Sequence, residues 1–338
     1  MNYSEKDMQK EEINIDQSLN NEGVMLFLNG QIDAAIQKYH QAIDAEPNNA
    51  SAHNNLGFAL SQKGDTEQAA LHYQKSLEID PKNDNTLLNL GNLLVIQGDY
   101  NQAKIYYEEA LELSTENANL WESYAKLMAV LNNPSTAVKA WQEAIRIHPE
   151  NLMYHLELGL ALIATGEYPQ AIYHLQEVLY HDPENVRANL SLGIIHLIQQ
   201  NYGLSQQFLK KTLGIEPENS TARYHLAMNY LATNQHAQAI KELERILLIY
   251  PSDLTTMADL AVVYLATDQV EKAKSLIAIC LQSNPEHQKA AYYDAVINHL
   301  EKRFDDSYKK LQQLALQEST YGQKAKQYLQ TYFSTFNQ

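Results

Sequence analysis

Proline recurs in this chain at intervals of 34 residues or twice that, and this period constrains the fold more than any other feature. The prolines of this series are Pro47, Pro81, Pro149, Pro183, Pro217, Pro251 and Pro285. Thr115 stands at the one place in the series that lacks a proline. A period of this length, kept over most of the chain, indicates one structural unit repeated in tandem.

Small and bulky residues keep the same register. Gly57 lies ten residues after the first proline, Ala69 twelve residues further on and Tyr73 four residues after that. Each unit is therefore interpreted as two short helices joined by a tight turn, where glycine adopts positive φ without steric cost. Proline ends the second helix, because it lacks an N–H and disfavours helix in the residue before it. The turn glycines are Gly30, Gly64, Gly98 and Gly166.

The pattern resembles the tetratricopeptide repeat, a 34-residue helix-turn-helix with the motifs W-x2-L-G-x2-Y, A-x3-F and P. The second unit carries His53-x2-Leu56-Gly57-x2-Leu60, Ala69-x3-Tyr73 and Pro81. The resemblance implies an all-α fold, a right-handed α-solenoid or superhelix of tandem units with a C-terminal capping helix.

Nine such units can be placed in register, and the ends of the chain depart from the pattern. Residues 1–15 are acidic and are predicted to be disordered, and residues 322–338 are predicted to form an amphipathic capping helix. Without a proline at 115, the second helix of unit three is expected to continue past Leu113. The units are 16–49, 50–83, 84–117, 118–151, 152–185, 186–219, 220–253, 254–287 and 288–321.

The chain is acidic, with a formal net charge of −16, and the charge is uneven. Residues 1–150 hold 22 acidic and 10 basic residues. Such acidity repels phosphates and anionic lipids, so nucleic acids and membrane surfaces are poor candidate partners. The excess either keeps a long solenoid soluble or favours a basic partner on the first half.

Other features exclude further classes of protein. No apolar run approaches the ~18 residues of a membrane-spanning helix, and residues 1–16 have no features of a signal or transit peptide. The single cysteine, Cys280, is expected to be buried and fits a reducing cytoplasm. The repeats hold no phosphate-binding glycine loop, no zinc-ligand spacing and no nucleophile elbow. The sequence predicts no catalytic residue, no cofactor and no metal, and it predicts exposed or packed histidines.

The resemblance implies that first helices line a concave groove that binds segments of partner proteins. The groove is predicted to be polar in units two to four and apolar from unit five. A chaperone-type carboxylate clamp is absent, because no unit has lysine at the required position. A short asparagine ladder at Asn21, Asn55 and Asn89 could bond the backbone of an extended peptide. The predicted groove residues are Asn55, Asn89, Asn92, Glu122, Lys126, Leu156, Leu160, Leu190, Ile194, Tyr224, Met228, Leu231, Val262 and Tyr292.

The sequence leaves three roles open for the apolar stripe. It could bind a partner, it could pack against neighbouring helices, or it could be filled by the protein itself. In the last case the C-terminal helix, from the same or another subunit, would occupy it and could build a homo-oligomer. The predicted function is a non-enzymatic cytoplasmic scaffold for protein binding; the alternative is a regulatory or targeting subunit of an enzyme or an envelope or secretion assembly.

Overall fold

The structure is a computed structural model that describes the backbone of residues 5–333 and the side chains of residues 17–333. Nineteen helices are found in this part of the chain, and no strand. They contact one another mainly as successive pairs, which confirms the predicted all-α fold of tandem helix-turn-helix units. Each predicted unit contains two helices, while the unit bounds themselves stay predictions.

The described residues divide after Val178 into two compact units, which we call unit 1 and unit 2. Each of them contains several of the predicted repeat units. The helices of unit 1 are α1 (Glu5–Leu28), α2 (Ile32–Ala45), α3 (Ala50–Gln62), α4 (Thr66–Ile79), α5 (Asp84–Gln97), α6 (Tyr100–Leu113), α7 (Ala118–Val130), α8 (Pro134–Ile147), α9 (Leu152–Thr165) and most of α10 (Tyr168–His181). The helices of unit 2 are α11 (Val186–Ile198), α12 (Tyr202–Ile215), α13 (Ser220–Ala232), α14 (His236–Ile249), α15 (Leu254–Ala266), α16 (Val270–Ser283), α17 (Gln288–Leu300), α18 (Phe304–Ala315) and α19 (Thr320–Tyr332).

Two kinds of cap set the length of the first helices. An asparagine caps most of their N-termini, as at Asn49, whose side chain accepts from the amide of Ala52 at 2.9 Å. Their C-termini end in a residue with left-handed φ. Only four of these residues are the predicted glycines. The others are Asn132, Gln200, Asn234, Asp268 and Lys302.

The expectation for unit three was wrong. Helix α6 ends at Leu113, and Ser114 after it is extended, although no proline follows. The indole Nε1 of Trp121 donates to the carbonyl of Thr115 at 2.9 Å. This bond fastens the turn to the following helix.

The chain is helical at both ends of the described part. Helix α1 begins at Glu5, whereas disorder was predicted for 1–15; residues 1–4 lie outside the described part. At the other end, α19 covers Thr320–Tyr332, and Phe336 lies outside the described residues. Ala325 and Phe333 are buried in a cluster with Ala295, Leu311 and Leu314. The apolar face of this terminal helix is therefore packed on α17 and α18 of the same chain.

Candidate functional site

Asparagines from three neighbouring first helices meet in unit 1. Helix α3 contacts both α1 and α5. The side-chain amide of Asn89 donates to Asn54 Oδ1 at 2.9 Å, and that of Asn54 to Asn55 Oδ1 at 3.3 Å. The amide of Asn55 in turn donates to Asn20 Oδ1 at 3.0 Å. These bonds link the four amides in series, each donating to the next, from α5 through α3 to α1.

The amide chain leaves hydrogen-bonding capacity at each residue. A side-chain amide has two N–H donors and an oxygen with two lone pairs, and each member uses only part of this set. Asn20, Asn54, Asn55 and Asn89 are half-buried, so their remaining donors and acceptors can reach a bound molecule. An extended peptide presents alternating N–H and C=O groups that match such a surface.

Two adjoining cavities lie along these asparagines, with volumes of about 500 and 580 Å³. Both are lined by Asn20, Asn21, Ser51 and Asn83. We call the combined surface the asparagine groove. Its further lining residues are Gln17, Val24, Glu46, Asn48, Asn49, Ala50, Asn54, Asn55, Phe58, Asp80, Asn85 and Asn89.

Only part of the predicted polar site belongs to this groove. Asn55 and Asn89 line it, whereas Asn92 accepts a 2.6 Å hydrogen bond from the hydroxyl of Tyr107. Glu122 and Lys126 of α7 pair with each other at 2.6 Å. Asn20, which sequence reasoning left out of the site, and Asn54, which was expected in the polar part of the groove, are central. Asn20 lies one repeat before Asn54, and this recurrence was a signal that could have identified it.

The predicted apolar stripe is largely engaged in packing. Leu156 is buried and Leu160 is half-buried, both in unit 1. In unit 2 the partly buried stripe residues that pack on the core around Leu226 and Leu260 are Leu190, Tyr224, Met228 and Leu231. Ile194 and Val262 are half-buried as well. Tyr292 packs against the rings of Tyr321 and Tyr328 from the terminal helix.

The structure also pairs histidines that sequence reasoning treated as scattered. His53 and His72 lie with their Nδ1 atoms 3.1 Å apart, and His155 and His174 repeat the arrangement at 3.0 Å. In both pairs the residues are 19 apart, at the same two repeat positions. That shared spacing was a usable signal, which emerges only when His53 and His155 are compared with each other.

The first histidine of each pair is anchored to the preceding turn. Its Nε2 donates to a proline carbonyl, at 3.2 Å for His53 and Pro47. The equivalent side chains of Trp121, Asn189 and Arg223 also donate to the carbonyl six residues earlier. In these repeats the position supplies an N–H donor from side chains of different types, whereas other repeats hold an apolar residue there, such as Leu87.

Burial makes several histidines resist protonation. Burial lowers the pKa of His72 to about 4, with the charges of His53 and His40 acting in the same direction. Burial and then the charge of His155 lower the pKa of His174. An ordinary histidine has a pKa of about 6.5.

We expect the protein to lose stability as the pH falls from about 7.5 to about 5. The unfolded chain takes up protons near pH 6.5, whereas the folded chain, with its lowered histidine pKa values, does not. Acidification therefore favours the unfolded state. The double variant His155→Asn, His174→Phe copies the native Asn189 and Phe208 at the same repeat positions. Thermal melts across this range should show a smaller loss for that variant, and an unchanged loss would contradict the assignment.

The comparisons with known proteins agree with the fold. A family model described as the TPR domain of cytochrome c-type biogenesis protein H matches residues 109–223. Models described as the tetratricopeptide repeat match residues 50–83, 72–105 and 196–260, and one described as the TPR repeat matches 23–64. No curated protein matches the chain.

Several solved structures are similar. YrrB, described as a TPR protein with an unusual peptide-binding site, is 24% identical with a TM-score of 0.52, covering 54% of this chain and 95% of its own. PilF of Pseudomonas aeruginosa is 19% identical with a TM-score of 0.56, covering 64% and 99%. A tetratricopeptide repeat protein from Parabacteroides merdae is 21% identical with a TM-score of 0.54, covering 75% and 97%. At these identities the likeness shows the fold alone.

Proposed function

Because the chain is a tetratricopeptide-repeat protein, we propose that it is a non-enzymatic scaffold that binds an extended segment of a partner protein in the asparagine groove. The observation that carries this proposal is the amide chain Asn89–Asn54–Asn55–Asn20. The side-chain donors and acceptors of this chain lie along a cavity, where they can bond the backbone N–H and C=O groups of an extended peptide. One protein of the same fold, YrrB, is described as having an unusual peptide-binding site.

The asparagine groove is favoured over the apolar stripe as the binding surface. Most stripe side chains are at least half-buried against neighbouring helices, so they offer less apolar area to a partner. The groove asparagines bond one another but keep spare donors and acceptors. A partner peptide therefore gains hydrogen bonds there without displacing packed side chains.

We also propose that the protein works in a reducing compartment such as the cytoplasm, because its single cysteine, Cys280, cannot form a disulfide within the chain. Cys280 is fully buried, and burial, followed by the charge of Asp253, raises the pKa of its thiol. Both effects keep the thiol inert, and its packing gives it a structural role. Among the described residues, no helix is both long and apolar enough to span a membrane.

The second candidate is a regulatory or targeting subunit of an enzyme or an envelope assembly. Similar structures include PilW, described as a type IV pilus biogenesis factor, at 22% identity, which supports the fold only. Genes for such an assembly next to this one would favour this candidate. Homo-oligomer formation through α19 also stays a prediction. The burial of Ala325 and Phe333 within the same chain instead supports a capping role for that helix.

Selection of peptides from a random display library on the full-length protein tests the proposed function. We expect selected peptides to bind Asn54→Ala, Asn89→Ala protein about tenfold more weakly, because each lost hydrogen bond contributes about 0.5–1.5 kcal/mol. Asn101→Ala, at an exposed asparagine of α6, is the matched control and should bind like the parent. The proposal would be ruled out if the selected peptides bound the groove variant as tightly as the parent, or if no peptide was selected.

A further inference from the structure

The asparagine groove has two edges of different chemistry. On α3 its lining runs from Ala50 in the first turn to Phe58, a distance of about 12 Å along the helix. Glu46 and Asp80 line the cavity at the Ala50 end. Phe58 and Val24 line the other cavity. The asparagines that α3 contributes to the amide chain lie between the acidic edge and the apolar edge.

The acidic edge has a negative potential from two sources. Glu46 and Asp80 occupy the same repeat position and are the C-cap residues of α2 and α4. The carbonyl end of a helix carries a partial negative charge, to which an acidic side chain there adds its own. Neither helix has a basic residue in its last turn. Both side chains are exposed, and no lysine, arginine or histidine lines either cavity, so this edge attracts cations.

The apolar edge offers hydrophobic surface to a partner. The side chain of Phe58 is 37% exposed, and its ring packs on that of Phe27 with the centroids 5.3 Å apart. Val24 beside it is half-buried. A bulky apolar side chain placed here would remove the exposed part of both residues from water.

The direction of the amide chain determines how a peptide presents its side chains to these edges. The bonds run across the helices, from α5 through α3 to α1. A peptide whose backbone bonds these amides therefore also crosses the helices. Successive side chains of an extended strand point in opposite directions, so alternate residues face the two edges.

We propose that the segment bound in the asparagine groove carries lysine or arginine at alternate positions and apolar residues at the positions between them. The basic side chains lie against Glu46 and Asp80, and the apolar ones against Val24 and Phe58. This inference rests on the proposed function, to which it adds the class of partner. An acidic segment would bring like charges together at the acidic edge and is disfavoured there.

Two labelled ten-residue peptides test the inference by fluorescence anisotropy with the full-length protein. One has lysine at alternate positions and the other has glutamate there, with valine and threonine between. We expect the lysine peptide to bind at least about tenfold more tightly than the glutamate peptide. Its affinity should fall as salt is added, since exposed ion pairs are screened.

The double variant Glu46→Gln, Asp80→Asn removes the charge of the acidic edge. The carboxylates accept from the backbone amides of Asn48 and Lys82, and the new side-chain amides keep an oxygen for these bonds. We expect this variant to bind the lysine peptide about three- to tenfold more weakly and to respond less steeply to salt. Circular dichroism checks that its fold is unchanged.

The chain contains a matched control for its general acidity, which attracts any basic peptide. Asp182 and Glu216 occupy the same repeat position in unit 2, where they accept from Asn185 and Asn219. The double variant Asp182→Asn, Glu216→Gln removes the same number of charges outside the groove. It should bind the lysine peptide like the parent.

The inference is overturned if the glutamate peptide binds as tightly as the lysine peptide. It is also overturned if the Glu46, Asp80 variant keeps the affinity of the parent, or if the control variant loses as much. The proposed function survives these results when peptide binding still depends on Asn54 and Asn89. If neither the designed peptides nor any library peptide binds, the proposed function fails and this inference fails with it.

Discussion

Replacement of Arg223 by methionine is expected to lower the free energy of unfolding by about 3 kcal/mol. Arg223 Nη1 pairs with Glu242 Oε2 at 2.5 Å, and the two side chains are only 7% and 15% exposed. The variant leaves the Glu242 carboxylate desolvated without its cation. The carbonyl of Pro217, which accepts from Arg223 Nη2, loses a donor too. Equilibrium denaturation monitored by circular dichroism measures the loss.

The next repeat supplies the compensating change. Met257 and Leu276 occupy the positions of Arg223 and Glu242 one repeat later. The double variant Arg223→Met, Glu242→Leu removes both charges together and should recover most of the lost stability, since apolar pairs often replace buried ion pairs without net cost. A double variant as unstable as the single one would show that the bond to Pro217, rather than the ion pair, dominates.

Replacement of Gly91 by alanine is expected to destabilise the protein by about 1–3 kcal/mol. A Cβ at this glycine would lie 2.4 Å from Cε1 of Tyr107, which is buried and bonded to Asn92 through its hydroxyl. Either the ring or the α5–α6 pair must shift. Chemical denaturation and the near-ultraviolet signal of the tyrosines would report the shift.

Gly214→Ala is the matched control for this prediction. Gly214 lies in α12, and a Cβ added at this glycine would have no atom within 4 Å. The same substitution should there stabilise the protein by about 0.5–1 kcal/mol, because alanine favours the helix. A Gly91→Ala variant that is also stabilised would mean that the two helices separate more easily than their packing indicates.

Much of the architecture follows from local sequence. The period of 34 residues, the small residues opposed to Tyr73 and Tyr107, and the glycines of four turns were sufficient to predict helix pairs. Turns such as those at Gln200 and Lys302 were not visible in the same way. The left-handed φ there is imposed by the helices on either side, and these residues do not favour it by themselves.

The candidate site was predicted only in part. The asparagine ladder that includes Asn55 and Asn89 was identified because asparagines recur at one repeat position. The amide chain also uses Asn20 and Asn54, which lie at the preceding repeat position. Glu122 and Lys126 were assigned to the groove from their position, but they lie one turn apart on α7 and bond each other. The position of a residue within a repeat predicts the helix face on which it lies. It does not predict which neighbouring side chain it will bond.

The sequence by itself determined the helix-turn-helix period, the helical class and the small-to-large packing within each pair, because these depend on contacts of the same kind in every copy. The tertiary structure alone decided which unlike side chains became partners: His53 with His72, Arg223 with Glu242, and Asn89 with Asn54. Those contacts join different helices at positions where the repeats vary. Their geometry depends on how closely two particular helices approach, and that distance is set by the packing around them.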